Sequence, residues 1–267
     1  MTAEPQREPH RPRKRFGQNF LHDQDVVARI VDAIDPLPGQ TIVEIGPGRA
    51  ALTGSLIQRA GHIRAIEIDR DLAATLRERF SAGEITLIET DALEVDWAAI
   101  ASGPLRVVGN LPYNISTPLL FALLPIAERV IDQHFMLQKE VVDRMVAAPG
   151  SKTYGRLSVM LQFRYRLVKL FDVPRGAFTP SPQVTSSVVR MLPRAVTELP
   201  QIDADAFARV VAAAFGQRRK TLRNALATLL GADDIAAAGV DPQARAETLS
   251  VQNFVDLTCR FAAAKTI

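Results

Sequence analysis

The stretch Thr41-Ile42-Val43-Glu44-Ile45-Gly46-Pro47-Gly48 decides the fold. Thr41 to Ile45 is a short apolar, β-branched run of the kind that forms a buried strand. Gly46-Pro47-Gly48 gives a tight turn, and Ala50-Ala51-Leu52-Thr53-Gly54-Ser55-Leu56-Ile57 continues as a helical run. Strand, glycine turn and helix N-terminus together make a nucleotide-binding βα unit. A lone Gly-x-Gly is a weak signal, and the following segments give it weight. Ile63–Ile68 is a second strand that runs into Asp69, Ile85–Ile88 a third that runs into Glu89-Thr90-Asp91, and Leu105–Val108 a fourth. Strands alternating with helical runs predict an α/β fold with a Rossmann-like, mostly parallel sheet.

The tips of these strands carry acids. Glu67 lies 21 residues after Gly46, where an acid meets ribose hydroxyls. Asp91 ends the third strand and can accept from an adenine amino group. Glu44, inside the first strand, points towards the glycine turn. A nicotinamide dinucleotide is the rival ligand. Its pyrophosphate wants a third glycine and unblocked N–H groups, whereas Pro47 and Arg49-Ala50-Ala51-Leu52 stand here. Carboxylates suit a cation better than a diphosphate. A sulfonium that carries an amino acid and an adenosine, S-adenosylmethionine, matches an acid at each point.

The fourth strand ends in Gly109-Asn110-Leu111-Pro112-Tyr113-Asn114. Pro112 stiffens this tip by fixing φ and removing an N–H. The Asn110 side-chain oxygen and the Leu111 carbonyl are two acceptors close together. They can hold both N–H bonds of an exocyclic amine and turn its lone pair outward, while Tyr113 stacks on the ring. An ordinary Asn-Pro turn has the same composition. Phe178 lies in a rigid loop, Phe178-Thr179-Pro180-Ser181-Pro182, and is either a second wall for that base or a core side chain.

Of the 267 residues, 47% are hydrophobic, enough for a sizeable core. No apolar run approaches the roughly 20 residues of a membrane span. The N-terminus is polar, with no apolar leader, and Cys259 is the only cysteine. We therefore expect a cytoplasmic protein with no disulfide, no metal centre and no membrane. The net charge is +3, and the first 20 residues carry a surplus of that size, from Arg7, Arg11, Arg13, Lys14 and Arg15 against Glu4 and Glu8. Arg218, Arg219, Lys220 and Arg223 form a second cluster. Such patches fit a polyanion, or merely a solvated face.

Residues 1–12 are rich in Pro, Arg and Glu and read as a disordered basic tail. Arg13 to Leu21 mixes cations, aromatics and amides, so it can touch phosphates and also close over a ligand. Asp23 or Asp25 caps a helix with Val26, Val27, Ile30 and Ile34 on one face. Further helices are expected at 117–127 and 139–145, and strands near 134–138, 167–173 and 184–192. His134 reads as an ordinary sheet residue. Residues 193–200 form a linker, and 201–267 reads as a small all-helical domain with helices at 203–215, 218–230 and 243–264. A basic start to the helix at 218 disfavours its own dipole, which points to a partner for those cations.

Taken together, Arg13–Leu21, Glu44–Gly48 with Leu52-Thr53, Glu67-Ile68-Asp69, Asp91-Ala92-Leu93, Asn110–Ile115, Gln138-Lys139-Glu140-Val141, Tyr154–Ser158, Phe178–Ser186 and Phe215–Asn224 resemble the rRNA adenine N6,N6-dimethyltransferases. The branch most similar is the bacterial small-subunit (16S) one, whose loss gives kasugamycin resistance. The resemblance implies a class I methyltransferase domain over 13–192, its sheet mostly parallel with the last strand antiparallel, and an rRNA-binding domain over 201–267. It implies that Asn19, Leu21, Gly46, Glu67, Asp91 and Asn110 contact S-adenosylmethionine. It also implies that Asn110 and Leu111 hold the target amine between Tyr113 and Phe178. The substrate would be two adjacent adenines in the 3′-terminal hairpin loop of 16S rRNA, within immature small subunits, and the enzyme a monomer. Gly48 and Glu44 join the cofactor set, and Arg13, Lys14, Arg15, Arg218, Arg219, Lys220 and Arg223 the RNA contacts. Ala50 departs from the family, which usually has a glycine there. Two alternatives remain: a large-subunit adenine methyltransferase of the macrolide-resistance type, and an assembly factor that acts mainly by binding rRNA.

Overall fold

The computed structural model describes residues 18–100, 103–217 and 219–264. By contact the chain falls into two compact units. One comprises residues up to Lys139 together with Leu170–Arg190, the other Glu140–Lys169 and everything from Met191.

The first unit opens with a two-residue strand, β1 (Phe20–Leu21), and helix α1 (Gln24–Ile34). Asp23 caps α1 by accepting from the N–H groups of Asp25 and Val26, and the buried face is Val26, Val27, Ile30, Val31 and Ile34. There follow β2 (Thr41–Ile45), α2 (Thr53–Ala60), β3 (Ile63–Glu67), α3 (Arg70–Arg79) and β4 (Ile85–Glu89). Then come α4 (Trp97–Ile100), β5 (Leu105–Asn110), α5 (Ser116–Ala122) and β6 (Val130–Gln138). The helix expected over 117–127 stops at Ala122, and Leu124–Arg129 tightens into a 3-10 turn. Pro125 cannot supply the N–H that a continuing α-helix needs. After α6 (Lys139–Met145) and α7 (Arg156–Arg164) the chain returns to strands β7 (Tyr165–Val173), β8 (Phe178–Thr179) and β9 (Ser186–Pro193).

The large sheet has the order β4-β3-β2-β5-β6-β9-β7. The β4–β3, β3–β2, β2–β5 and β5–β6 pairs are all parallel. The chain walks outward from β2 to β4 and then crosses back to place β5 on the other side of β2. That reversal opens a crevice beyond the C-terminal ends of β2 and β5, where open α/β sheets bind ligands. Gly109 lets the two tips approach, because a Cβ there would lie 2.5 Å from the Ile45 carbonyl oxygen. The small sheet pairs β1 with β8, antiparallel, with Phe20 opposite Thr179 and Leu21 opposite Phe178.

A polar knot sits inside the first unit. Arg106 donates from Nε and Nη2 to the two oxygens of Asp132, each at 2.7 Å. It also donates to the carbonyls of Ile34 and Asp35 and so closes the C-terminus of α1. Burial works against the Asp132 carboxylate, but Arg106, with His134 and Arg190, holds its pKa below the ordinary value. His134, buried beside it, is pushed down to about 4 by desolvation and stays neutral.

In the second unit, α7 packs with α8 (Ala204–Gly216), and α8 packs with α11 (Val251–Ala264). Phe163 on α7 meets Phe207 on α8 with centroids 4.4 Å apart, and Phe215 stacks on Phe254 at 5.6 Å. Residues 140–169, which the sequence placed with the methyltransferase domain, group with these helices, because the apolar face of α7 finds its partners there. The helix expected at 218–230 is absent. Only α9 (Leu222–Ala225) forms, followed by α10 (Ala232–Ala237). The Leu222 and Arg223 N–H groups donate to the carbonyls of Ala244 and Pro242, so tertiary bonds replace the helical ladder. The dipole argument for the 218–230 cations falls with that helix. The segment expected as a helix over 243–264 makes a 3-10 turn at Ala246–Thr248 and becomes α-helical only at Val251, behind Ser250, whose hydroxyl accepts from the Asn253 N–H.

Candidate active site

The crevice holds a cavity of about 270 Å³ at the tips of β2, β3, β4 and β5. Glu44, Gly46, Gly48, Glu67, Asp91, Asn110, Leu111 and Tyr113 all line it, as do Asn19 and Leu21. The structure thus brings together the residues that the sequence placed on four strand tips and on the segment before α1.

Its floor is acidic and largely buried. Glu44 is 2% exposed, and its Oε2 accepts from Thr53 Oγ1 at 2.7 Å. Desolvation raises its pKa to about 7, with Glu67 nearby adding to the effect and the Thr53 hydrogen bond opposing it. Glu67, 5% exposed, accepts from the N–H of Gly48 at 3.1 Å and of Asp69 at 2.9 Å. Burial raises its pKa too, against those two bonds. Asp69 is fully buried, caps α3 through the Asp71 N–H, and accepts from Gln18 Nε2 at 3.1 Å. Asp91 at the end of β4 accepts from the Leu93 N–H. Buried carboxylates gathered this way favour a cation between them.

The glycine loop is strained at an unusual point. Gly46 and Gly48 have positive φ, and so does Ala50, at +64°. A left-handed conformation costs a residue with a Cβ about 1–2 kcal/mol. Residues 18–21 lie across this loop. The Phe20 ring is 3.3 Å from where a Gly48 Cβ would stand, and the Arg49 guanidinium sits 4.5 Å from the Phe20 centroid.

At the tip of β5, Asn110 Nδ2 donates to the Asn19 carbonyl at 3.1 Å. That bond commits the amide nitrogen and turns the side-chain oxygen the other way. The Leu111 N–H is tied to the Met136 carbonyl, which fixes the tip against β6. Tyr113 is half-buried and lines the cavity, and its hydroxyl is 2.7 Å from Ser186 Oγ. Phe178 stands elsewhere. It is 3% exposed and packs in the core with Leu21, Val173 and Ala177, since β8 pairs with β1. Of the two expected aromatic walls, only Tyr113 reaches this cavity. Arg219, Lys220 and Arg223 are exposed in the second unit, while Arg13, Lys14, Arg15 and Arg218 lie outside the described residues. Thr53 and Ser186 lie in stretches that carry the family resemblance, but the sequence alone assigns neither a role, because their partners are 9 and 73 residues away.

The family model of ribosomal RNA adenine dimethylase matches residues 9–263. The chain belongs to that family. Among curated relatives it is 58% identical over 254 residues to the ribosomal RNA small subunit methyltransferase A of Aromatoleum aromaticum, covering 95% of this chain and 96% of the relative. It is 54% identical to the protein of the same name from Thiobacillus denitrificans, covering 95% and 99%. Of solved structures, a dimethyladenosine transferase from Plasmodium falciparum has the same fold, with a TM-score of 0.80 at 22% identity over 92% of this chain and 98% of that one. The 23S rRNA methyltransferase ErmE is similar at a TM-score of 0.69 and 26% identity, over 91% and 100%. This family member is an rRNA adenine dimethyltransferase built on a Rossmann-like class I methyltransferase sheet, with a helical C-terminal region. Among the described residues no helix is long and apolar enough to cross a membrane.

Proposed function

We propose that this dimethyltransferase transfers two methyl groups from S-adenosylmethionine to N6 of each of two adjacent adenines in the 3′-terminal hairpin loop of 16S rRNA, in immature small subunits. The observation that carries the chemistry is the Asn110 amide. Its nitrogen is held by the Asn19 carbonyl, so its oxygen and the Leu111 carbonyl are the acceptors offered to an incoming amine. The two most similar relatives described above are small-subunit enzymes, whereas the large-subunit enzyme ErmE shares only 26% identity. That difference favours the small subunit.

The cavity residues fit the cofactor. A cation beside Glu44 relieves a buried carboxylate that is otherwise half-protonated near neutrality. Glu67 takes the ribose hydroxyls and Asp91 an adenine amino group, a reading supported by both residues lining the cavity. When bound, S-adenosylmethionine supplies a methyl group on a sulfonium, a good leaving group that needs no metal and no covalent enzyme intermediate. The chain itself contributes positioning and charge organisation. Asn110 and Leu111 accept the two N–H bonds of the target amine, which turns its lone pair towards the cavity. Tyr113 stacks on the base and fixes its plane. The methylated nitrogen loses one proton to water as the thioether leaves, so a single N–H remains and still anchors the nitrogen for the second transfer. Phe178 can serve as a second wall only if its ring is uncovered, so we assign it to the support of β1 at the cavity edge. Lys220, Arg219 and Arg223 are placed to meet phosphates.

Asn110→Ala tests the reading and separates an enzyme from a pure assembly factor. Single-turnover transfer of labelled methyl groups should fall roughly 10²-fold or more, by analogy with loss of an oxyanion-hole donor. Binding to immature small subunits should persist. Near-normal transfer by the variant would place the chemistry elsewhere.

A further inference from the structure

We infer that Ser186 is a positioning residue, which tethers the Tyr113 ring by its hydroxyl so that the ring is set at a fixed angle before the target base arrives. The inference rests on Tyr113 being the stacking surface. Tyr113 Oη and Ser186 Oγ are 2.7 Å apart. Ser186 is fully buried and is the first residue of β9. Its neighbour Thr185 accepts from the Lys139 N–H through its carbonyl at 2.9 Å, which anchors the start of β9 to the end of β6. The anchor for the phenol therefore belongs to the sheet.

Tyr113 itself belongs to the turn after β5. That turn is pinned by Leu111 N–H to the Met136 carbonyl, and by the Ile115 N–H and the Ser116 hydroxyl to the Pro112 carbonyl. The residue is thus held at its backbone by one set of bonds and at the far end of its ring by another.

Stacking uses the ring face, and a phenylalanine offers the same face. The hydroxyl must then serve something else. Burial raises the phenol pKa, against the pull of the Ser186 hydrogen bond, so it stays a neutral hydroxyl at working pH. It is no base for the amine. A ring fixed at both ends has no torsional freedom left to lose when a base docks, which is the gain of preorganisation. An untethered ring would leave the docked base aligned with the methyl group for a smaller fraction of the time, which lowers the maximal rate.

The test is single-turnover methyl transfer to small ribosomal subunits from cells lacking this activity, with wild type, Tyr113→Phe, Ser186→Ala, the double variant, Ser186→Thr and Tyr113→Ala. Tyr113→Phe and Ser186→Ala should each slow the maximal rate about 3- to 10-fold, as expected for one lost hydrogen bond. The double variant should be no slower than either, because both remove the same bond. Ser186→Thr keeps the hydroxyl and should recover most of the rate. Cofactor affinity should not move. Wild-type rates in Tyr113→Phe and Ser186→Ala, beside a crippled Tyr113→Ala, would overturn the tether and leave the stacking role standing. A wild-type rate in Tyr113→Ala would overturn the stacking role and the tether with it. Losses that simply multiply in the double variant would also reject the tether. Should Ser186→Ala melt at assay temperature, Tyr113→Phe removes the same bond from the cavity side and decides the matter alone.

Discussion

Glu44 offers a direct link between burial and ligand choice. In the free protein its pKa is raised from 4.5 to about 7, mainly by desolvation. The folded chain therefore keeps a proton that the unfolded chain has released between about pH 4.5 and 7. Stability must fall as pH rises through that window, and above it the ionised side chain costs about 3 kcal/mol, from 1.36 kcal/mol per pKa unit. Glu44→Gln keeps the size and the contact with Thr53 but cannot ionise. Urea unfolding at pH 5, 6, 7 and 8 should show wild type losing stability relative to the variant, by up to about 3 kcal/mol at pH 8. Glu67, also raised, slopes the same way in both proteins, so the difference between them reports Glu44 together with its repulsion of Glu67. Cofactor binding should show the mirror image. A cationic ligand favours the carboxylate, so wild type should bind S-adenosylmethionine more tightly as pH rises towards 8 and release a proton near neutrality. Calorimetry in two buffers of different ionisation enthalpy reads that proton. In Glu44→Gln the proton release should vanish and the affinity at pH 8 should drop. Parallel stability curves for the two proteins, with proton release unchanged, would refute the reasoning.

Other expectations are simpler. Glu67→Ala removes an acceptor of two backbone N–H groups and should weaken S-adenosylmethionine by about 1.5–3 kcal/mol in the same calorimeter. Ala50→Gly relieves the left-handed strain at φ +64° and should raise the unfolding free energy by about 1 kcal/mol, measured in urea without ligand. Neutralising both Lys220 and Arg223 should reduce the slope of log affinity for rRNA against log salt by about 2, and an unchanged slope would make them a solvated face.

Most of the first unit could be read from the chain itself. Strands β2 to β5 are short apolar runs that end in a glycine or an acid, and their tips meet because parallel strands share a direction. Glu44, Glu67, Asp91 and Asn110 therefore fell into one cavity. What could not be read depends on partners far away in sequence. The orientation of the Asn110 amide depends on a carbonyl 91 residues earlier. Leu21 and Phe178 bury each other, which takes the Phe178 ring out of the cavity. Arg106 and Asp132 form their pair across two strands, and neither has a local signature. The 218–230 segment has helical composition, but two of its N–H groups are claimed by the 242–244 turn. Leu157–Arg166 reads as amphipathic, and amphipathicity says which face is buried without saying against what.

The pairing of β1 with β8 has a consequence for synthesis. Phe20 and Leu21 leave the ribosome early, yet their partners Thr179 and Phe178 are more than 150 residues downstream. At roughly 5–20 residues per second, the edge of the cavity waits on the order of 10–30 s for its mate. Over that interval the parallel core from β2 to β6 can form, while two apolar side chains at the front of the nascent chain stay uncovered. Segment 18–21 is then the first part of the site to be made and the last to be seated. A chain that stalls before Phe178 would carry the five parallel strands but neither β9 nor the strand that holds its Asn19 carbonyl towards Asn110.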